Sequence, residues 1–263
     1  MMDPTKTPRV SLVVCTYNEE QHIGDCIRSA HGLADDVLVV DMSSTDKTAD
    51  IARSLGASVN IIPKGSFVDP TRNYAFSLAS GEWILMLDAD ERLTPALATE
   101  MRAIANGDLA DVVEPVQKTY MFGVHIRYSG WQDNRRGILF KKGFLTYPED
   151  EVHAHPALKG RILQLDSSKG VVLHYNYRDI RHFIRKMNDY TDGEALKLVR
   201  TGGKHTPLRG IYWGFRHFFR RYFLLQGYRD GWYGFMLCVF MGFYWFLAFC
   251  KAWEAGNQKK MSA

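Results

Sequence analysis

Across the first 115 residues, short apolar runs alternate with stretches whose apolar residues recur at helical spacing. VSLVVCTYN (Val10–Asn18) is continuous and β-branched, as a strand covered on both faces requires. EEQHIGDCIRSAHG (Glu19–Gly32) puts Ile23, Cys26, Ile27 and Ala30 on one side of a helix. DVLVVD (Asp36–Asp41) predicts a second strand. SSTDKTADIARSLG opens on cap residues and stops at Gly56, which predicts a helix with both end signals. SVNIIP (Ser58–Pro63) follows as a third strand, and Asp69-Pro70 opens a helix through Ala79. EWILMLD (Glu82–Asp88) is a fourth strand, Thr94-Pro95 starts another helix, and DVVEPV (Asp111–Val116) is a fifth strand. Strands alternating with helices predict an α/β fold built on a mostly parallel sheet flanked by helices.

The pattern then changes. Between residues 117 and 175, turns at Gly123, Gly130, Gly137, Gly143 and Gly160 predict short, partly antiparallel strands that close a site. DIRHFIRKMNDYTDGEALKLV (Asp179–Val199) is amphipathic, with Phe183, Ile184, Met187, Tyr190 and Leu196 as its apolar residues. Trp232 to Cys250 carries no charge in nineteen residues. The expected organisation is a domain over residues 1–178 and a helical, membrane-associating region over 179–263.

Charge sharpens the reading of the tail. The chain of 263 residues has a net charge of +4, yet from Thr201 onward it holds nine Lys or Arg against two acids, so the remainder is net acidic. A basic, aromatic and apolar segment points to a membrane surface. Its length permits a span, but positive flanks on both sides and two internal glycines favour a monotopic or re-entrant insertion. Basic charge mixed with aromatics also occurs in binders of single-stranded nucleic acid, but the uncharged stretch suits lipid better, so no nucleic-acid partner is expected. The four cysteines (Cys15, Cys26, Cys238, Cys250) lack metal-site or redox spacing and read as reduced packing residues. The N-terminal MMDPTKTPRV is too polar for a secretory leader.

Parallel sheets bind ligands beyond the carboxyl ends of their strands. Polar residues gather at three of those ends: Thr16-Tyr17-Asn18-Glu19, Asp41, and Asp88-Ala89-Asp90-Glu91. In an extended chain, Asp88 and Asp90 point the same way. Two convergent carboxylates repel each other unless a cation sits between them, and hard oxygen ligands suit Mg²⁺ or Mn²⁺, which also hold a nucleotide diphosphate.

VSLVVCTYNEE, VLVVDMSSTDKTADIARSLGA and GEWILMLDADERL, in this order and spacing, resemble the inverting family-two glycosyltransferases of GT-A (Rossmann-like) fold. The similarity is strongest over residues 9–115. VLHYNYRDIRHFIRKMNDYTDGEA and the basic-aromatic tail resemble the branch that builds lipopolysaccharide core and other bacterial surface polysaccharides, including core β-1,4-glucosyltransferases. The resemblance implies that Thr16, Tyr17, Asn18 and Glu19 line a nucleotide pocket and that Asp41 accepts the base N–H. It further implies that Asp88 lies near ribose and metal, that Asp90 ligates the metal, and that Arg72 faces the nucleotide. The family often has D-D-G-S or D-S-G-S where this chain has DMSS, so Met42 and Ser43 depart from it. Members often complete the metal site with a late His. His174 in GVVLHY is the candidate, with His153 and His155 of EVHAHP as alternatives whose family context favours acceptor-site or loop roles.

An inverting transfer needs one base to deprotonate the acceptor hydroxyl. YPEDEVH offers Glu149, Asp150 and Glu151, of which Asp150 is preferred and Glu151 is next. Many relatives carry a Glu where Ala154 stands. Trp131 in SGWQDNRRGILF is a candidate to stack on a sugar ring, and Arg135 and Arg136 are candidates to meet acceptor phosphate. The expected donor is a UDP-sugar, with UDP-glucose leading, and the expected acceptor a glycolipid or polysaccharide at the cytoplasmic face of the inner membrane. Two other readings share the fold. A nucleotidyltransferase would carry a Gly-rich basic loop after the first strand, which CTYNEEQHIG lacks. A non-catalytic membrane adaptor would be free to lose the two aspartates, which are present.

Overall fold

The computed structural model describes residues 9–64, 69–132, 134–148, 156–202 and 205–261. The chain divides into two compact units. The first comprises Met1–Lys118 and Asp133–His174, and the second Thr119–Gln132 and Tyr175–Ala263.

The first unit alternates as the hydrophobic pattern requires: β1 (Val10–Thr16), α1 (Ile23–Ser29), β2 (Asp36–Asp41), α2 (Thr48–Ser54), β3 (Ser58–Ile61), α3 (Asp69–Leu78), β4 (Trp83–Asp88), β5 (Glu91–Leu93), α4 (Pro95–Asn106) and β6 (Val112–Glu114). β7 (Val116–Met121) and β8 (Val124–Ile126) follow, then β9 (Asn134–Arg135), β10 (Leu139–Lys141), β11 (Leu145–Thr146), β12 (Ala157–Leu158), β13 (Ile162–Gln164) and β14 (Val172–Tyr177). The unit boundary falls within β7 and β14.

Seven strands form one mixed sheet in the order β13-β6-β10-β4-β1-β2-β3. β1 runs parallel to β2 and β4, β2 to β3, and β13 to β6, whereas β10 is antiparallel to β4 and β6. The side-chain period of two divides each central strand between two cores. Leu12 and Val14 of β1 and Leu85 and Leu87 of β4 pack with Ile23 and Ile27 of α1 and Met101 of α4. The alternate residues Val13, Ile84 and Met86 pack with Ala75 and Phe76 of α3 and with Phe140. Burial on both faces is why these strands read as continuous apolar runs, and truncating Leu85 or Leu87 to Ala would cost about 2–5 kcal/mol.

The structure shortens several sequence-predicted elements. The first helix begins at Ile23 and not Glu19; ahead of it the Glu19 and Glu20 amides donate to Thr48 Oγ1 (2.8 Å) and Asp46 Oδ2 (3.1 Å). The run read as a fifth strand splits around Pro115, which has no N–H to give a ladder.

Among its described residues the second unit holds three α-helices: α5 (Ile180–Arg200), α6 (Pro207–Phe219) and α7 (Gly231–Met261). Asp179 caps α5 by accepting from the His182 amide at 2.7 Å, and Thr206 caps α6 ahead of Pro207. A π-turn (Arg220–Leu224) and a 3₁₀ turn (Gly227–Asp230) reverse the chain, so α6 runs back along α7. The two helices meet through glycine. A Cβ on Gly214 would stand 2.8 Å from the Gly242 carbonyl oxygen, and one on Gly242 would stand 2.9 Å from that of Gly214. Only residues without a side chain permit this approach. The unit's core is Met121, Ile126, Phe183, Met187 and Leu237.

Candidate active site

The carboxyl ends of β1, β2 and β4 lie side by side, with Thr16 opposite Asp41 and Cys15 opposite Asp88. Beyond β1, Thr16 is buried and Asn18 adopts a left-handed conformation at φ 55°. The loop it opens is bonded to the loop after β2: the Asn18 amide donates to Ser44 Oγ (2.9 Å) and the Thr45 amide to Asn18 Oδ1 (2.8 Å). Asp41 is buried and receives the Ser44 amide at 2.7 Å and its hydroxyl at 2.6 Å. Ser43 stands where the family pattern has glycine, and it takes the left-handed φ of 59° that glycine would favour. Its hydroxyl donates to the Ile62 carbonyl at 2.8 Å. Lys64 lies 4.0 Å from the centre of the Tyr17 ring.

β4 ends in a tight turn at Ala89-Asp90 and returns as β5. The extension that the sequence predicted is thus bent, and the carboxylates acquire different partners. Asp88 Oδ1 accepts from Arg72 at 2.8 Å, and its Oδ2 lies 3.1 Å from Arg136. Glu91 is fully buried, pairs with Arg136, and accepts from Gln117 Nε2 (2.7 Å) and the Asp88 amide (2.9 Å). Burial raises the Glu91 carboxyl above its ordinary value, against the pull of Arg136. Arg136 is held firmly protonated, since Asp88 and Glu91 outweigh the cost of its burial. Two guanidinium groups thus balance the neighbouring Asp88 and Glu91 carboxylates.

Asp90 finds the late histidine. β14 pairs antiparallel with β5, with His174 opposite Glu91, and this register leaves His174 Nε2 3.5 Å from Asp90 Oδ2. Burial favours the neutral imidazole, but Asp90, Glu91 and Asp88 outweigh it, and the His174 pKa is raised. Among the described residues, no group of three His, Cys, Asp or Glu side chains converges as a metal site. The Asp90 carboxylate and His174 nitrogen remain a suitable donor pair for Mg²⁺ or Mn²⁺, which commonly take one or two protein ligands and fill their shell with phosphate oxygens and water.

Arg72 is buried, contacts Met86 Sδ (3.0 Å) and Tyr147 Oη (3.4 Å), and lies 5.2 Å from the Tyr147 ring centre. Tyr147 is fixed by a reciprocal pair of bonds with Asn73, at 2.9 Å and 2.7 Å. Asp150, Glu151 and His153 lie outside the described residues. Trp131 belongs to the second unit, where the Arg221 guanidinium lies 4.4 Å from its ring centre. Sequence reasoning did not assign Glu91, Gln117 and Tyr147 to the site. For Glu91 the signal was available, as a third carboxylate in a four-residue run after a buried strand. Gln117 and Tyr147 carried none.

The glycosyl transferase family 2 model matches residues 11–165. An uncharacterized glycosyltransferase of Rickettsia typhi is 30 % identical, over 94 % of this chain and 87 % of its own length. The lipopolysaccharide core biosynthesis glycosyltransferase LpsC of Rhizobium meliloti is 28 % identical, over 95 % of this chain and 93 % of its own. Among solved structures, S. aureus TarS 1–349 in complex with UDP-GlcNAc superposes with a TM-score of 0.50 at 18 % identity, covering 72 % of this chain and 65 % of that one.

Proposed function

The chain belongs to glycosyl transferase family 2 and is a glycosyltransferase, and from that premise we propose that it moves a hexose, glucose first among candidates, from a UDP-sugar to a lipopolysaccharide-core or related glycolipid acceptor at the cytoplasmic face of a membrane. The observation that carries this reading is the Asp90–His174 pair beside the Asp88–Arg72–Arg136 cluster, at the carboxyl ends of the central strands. The UDP-GlcNAc bound to TarS and the lipopolysaccharide role named for LpsC support the donor class and the acceptor class respectively. Residues 1–178 are assigned to transfer and 179–263 to membrane association.

In this reading Thr16 to Glu19 and Asp41 hold the nucleoside, with Asp41 accepting the base N–H. Asp88 sits near the ribose. Asp90 and His174 would hold a divalent cation, which when bound neutralises charge on the diphosphate. Arg72, fixed by Tyr147 and Asp88, adds positive charge beside the leaving group. Asp150, with Glu151 next, takes the acceptor hydroxyl proton as that oxygen bonds to the anomeric carbon from the face opposite UDP. The bond from carbon to the UDP oxygen breaks with its electron pair, UDP leaves, and the configuration inverts. Arg136 and His153 are assigned to the sugar and acceptor.

Calorimetric titration of UDP, with and without Mn²⁺, into wild type and Asp90→Ala tests the reading. Metal-dependent binding that disappears in the variant is expected. Absence of UDP binding under both conditions would remove the UDP-sugar assignment.

A further inference from the structure

α7 is the one helix among the described residues long and apolar enough to cross a membrane, with a mean hydropathy of 1.8 in its apolar window. Its neighbours argue that it does not. Gly214 of α6 packs on Gly242, and His217 stacks on Trp245 with ring centres 4.5 Å apart. On another side Phe183 of α5 lies 5.1 Å from Phe240, and Lys251 bonds Asp192 of α5 at 2.6 Å. Placing the middle of α7 in hydrocarbon would therefore drag in α6 with Arg209, Arg216 and its C-cap Arg220, and α5 with Asp189, Asp192 and Glu194. Each charge at the bilayer centre lowers the partition by roughly 100-fold. α6 itself, at 13 residues and about 1.5 Å per residue, is too short to cross.

The outer surface of the same pair has a different character. At about 100° per residue, Leu208, Ile211, Tyr212, Phe215 and Phe219 fall on one stripe of α6, opposite the glycine face. Leu208 is 77 % exposed and Phe215 63 %. Arg209, Arg216 and Arg220, all exposed, form the adjacent stripe. At the turn, Leu224 is 77 % exposed and Trp232 84 %. A chain of rings joins the stripe on α6 to the turn and to the start of α7: Phe219 to Phe218 at 5.8 Å, Phe218 to Phe235 at 6.0 Å, and Phe235 to Trp232 at 5.8 Å. From Pro207 to Cys250 the chain has five arginines and one acid, Asp230, whose oxygens accept the Arg127 and Tyr128 amides.

We propose that α6 and α7 form a glycine-closed hairpin that lies in the interfacial layer of an anionic leaflet, with the aromatic stripe in the acyl boundary and Arg209, Arg216 and Arg220 against lipid phosphates, and that α7 does not cross. An apolar stripe with arginines along one side is complementary to such a surface and less so to a neutral one. The proposal concerns the hairpin alone and is independent of the donor and acceptor chemistry, so UDP binding by the same preparation reports separately on the catalytic reading.

The test is flotation of the full chain with sealed vesicles of phosphatidylcholine alone or mixed with phosphatidylglycerol. Binding stronger on the anionic vesicles and weakened by salt is expected. Replacing Arg209, Arg216 and Arg220 by Gln should lower the anionic partition by about 100-fold, and Lys at all three should restore it. Phe215→Ser with Phe219→Ser should weaken binding to both vesicle types. Single cysteines at Gln226 and Glu254, in a chain lacking the others, should both react with an impermeant maleimide added outside. Protection of either position, or anionic binding unchanged in the Gln triple variant, overturns the proposal. So does a chain that ignores vesicles and forms a dimer lost in the Phe variants, since the stripe would then cover a second copy.

Discussion

Glu91 is the least exposed charge in the site, and removing it should be felt first as lost stability. In Glu91→Ala, Arg136 keeps Asp88 at 3.1 Å, so its charge stays paired. Gln117 Nε2 and the Asp88 amide each lose their acceptor, at 2.7 Å and 2.9 Å in the wild type. A buried donor without a partner costs about 1–3 kcal/mol, while removing an ion from a dry site returns part of that sum. The expected net loss is about 3 kcal/mol. Glu91→Gln preserves the shape but turns an amide NH₂ toward Arg136, and should lose about 2 kcal/mol, near the cost of one unsatisfied buried donor. Urea unfolding monitored by far-UV circular dichroism, with UDP titration as a check that the first unit is folded, measures both. If Glu91→Ala unfolds within about 0.5 kcal/mol of wild type, as an unremarkable surface change would, the network does not hold the β4–β5 turn and the argument fails.

His174→Ala should weaken Mn²⁺-dependent UDP affinity by at least about 10-fold and leave metal-free binding unchanged, as calorimetry would show; equal loss in both would mark His174 as a packing residue. Gly214→Val places a Cβ 2.8 Å from the Gly242 oxygen and should destabilise the hairpin by about 2 kcal/mol or more, seen as increased protease cleavage near residues 220–230. Arg161, with Lys141 beside it, holds the Asp111 carboxyl well below the usual carboxylate range. A depressed carboxyl stabilises the fold above its unfolded value near about 3.9, and that share is lost as pH falls toward the folded value. Wild type should therefore exceed Asp111→Asn by about 2 kcal/mol at neutral pH, with the gap closing on acidification below about pH 5. A gap independent of pH would refute the ion-pair account.

Much of the sheet was legible because β1, β2 and β4 are buried on both faces and so write unbroken apolar runs. The start of α4 was legible because proline's fixed φ at the first helical position is a local signal, whereas the Thr94 hydroxyl bonds Val171 and caps nothing. The loops were not. The segment read as helix from Glu19 is a turn bonded to Thr48 and Asp46, 26 to 29 residues away, and no local spacing encodes such a bond. His174 was legible as a late histidine closing the run GVVLHY, although β14 continues past it to Tyr177, and its nearness to Asp90 depends on the β5–β14 register. Glu91, Gln117 and Arg136 meet across separations of 26 and 45 residues without any periodic pattern. In the tail, the uncharged nineteen residues drew attention to α7, whereas the arginine-flanked stripe belongs to α6 and emerges only when its exposed side is separated from its glycine side.

The order of these parts along the chain bears on how the protein is made. Every strand of the seven-stranded sheet ends by Gln164, and α6 begins only at Pro207. At about 5–20 residues per second, a ribosome completes all the sheet's segments seconds before the aromatic hairpin exists. The unit that carries the sheet has time to close before the exposed aromatic stripe of α6 exists.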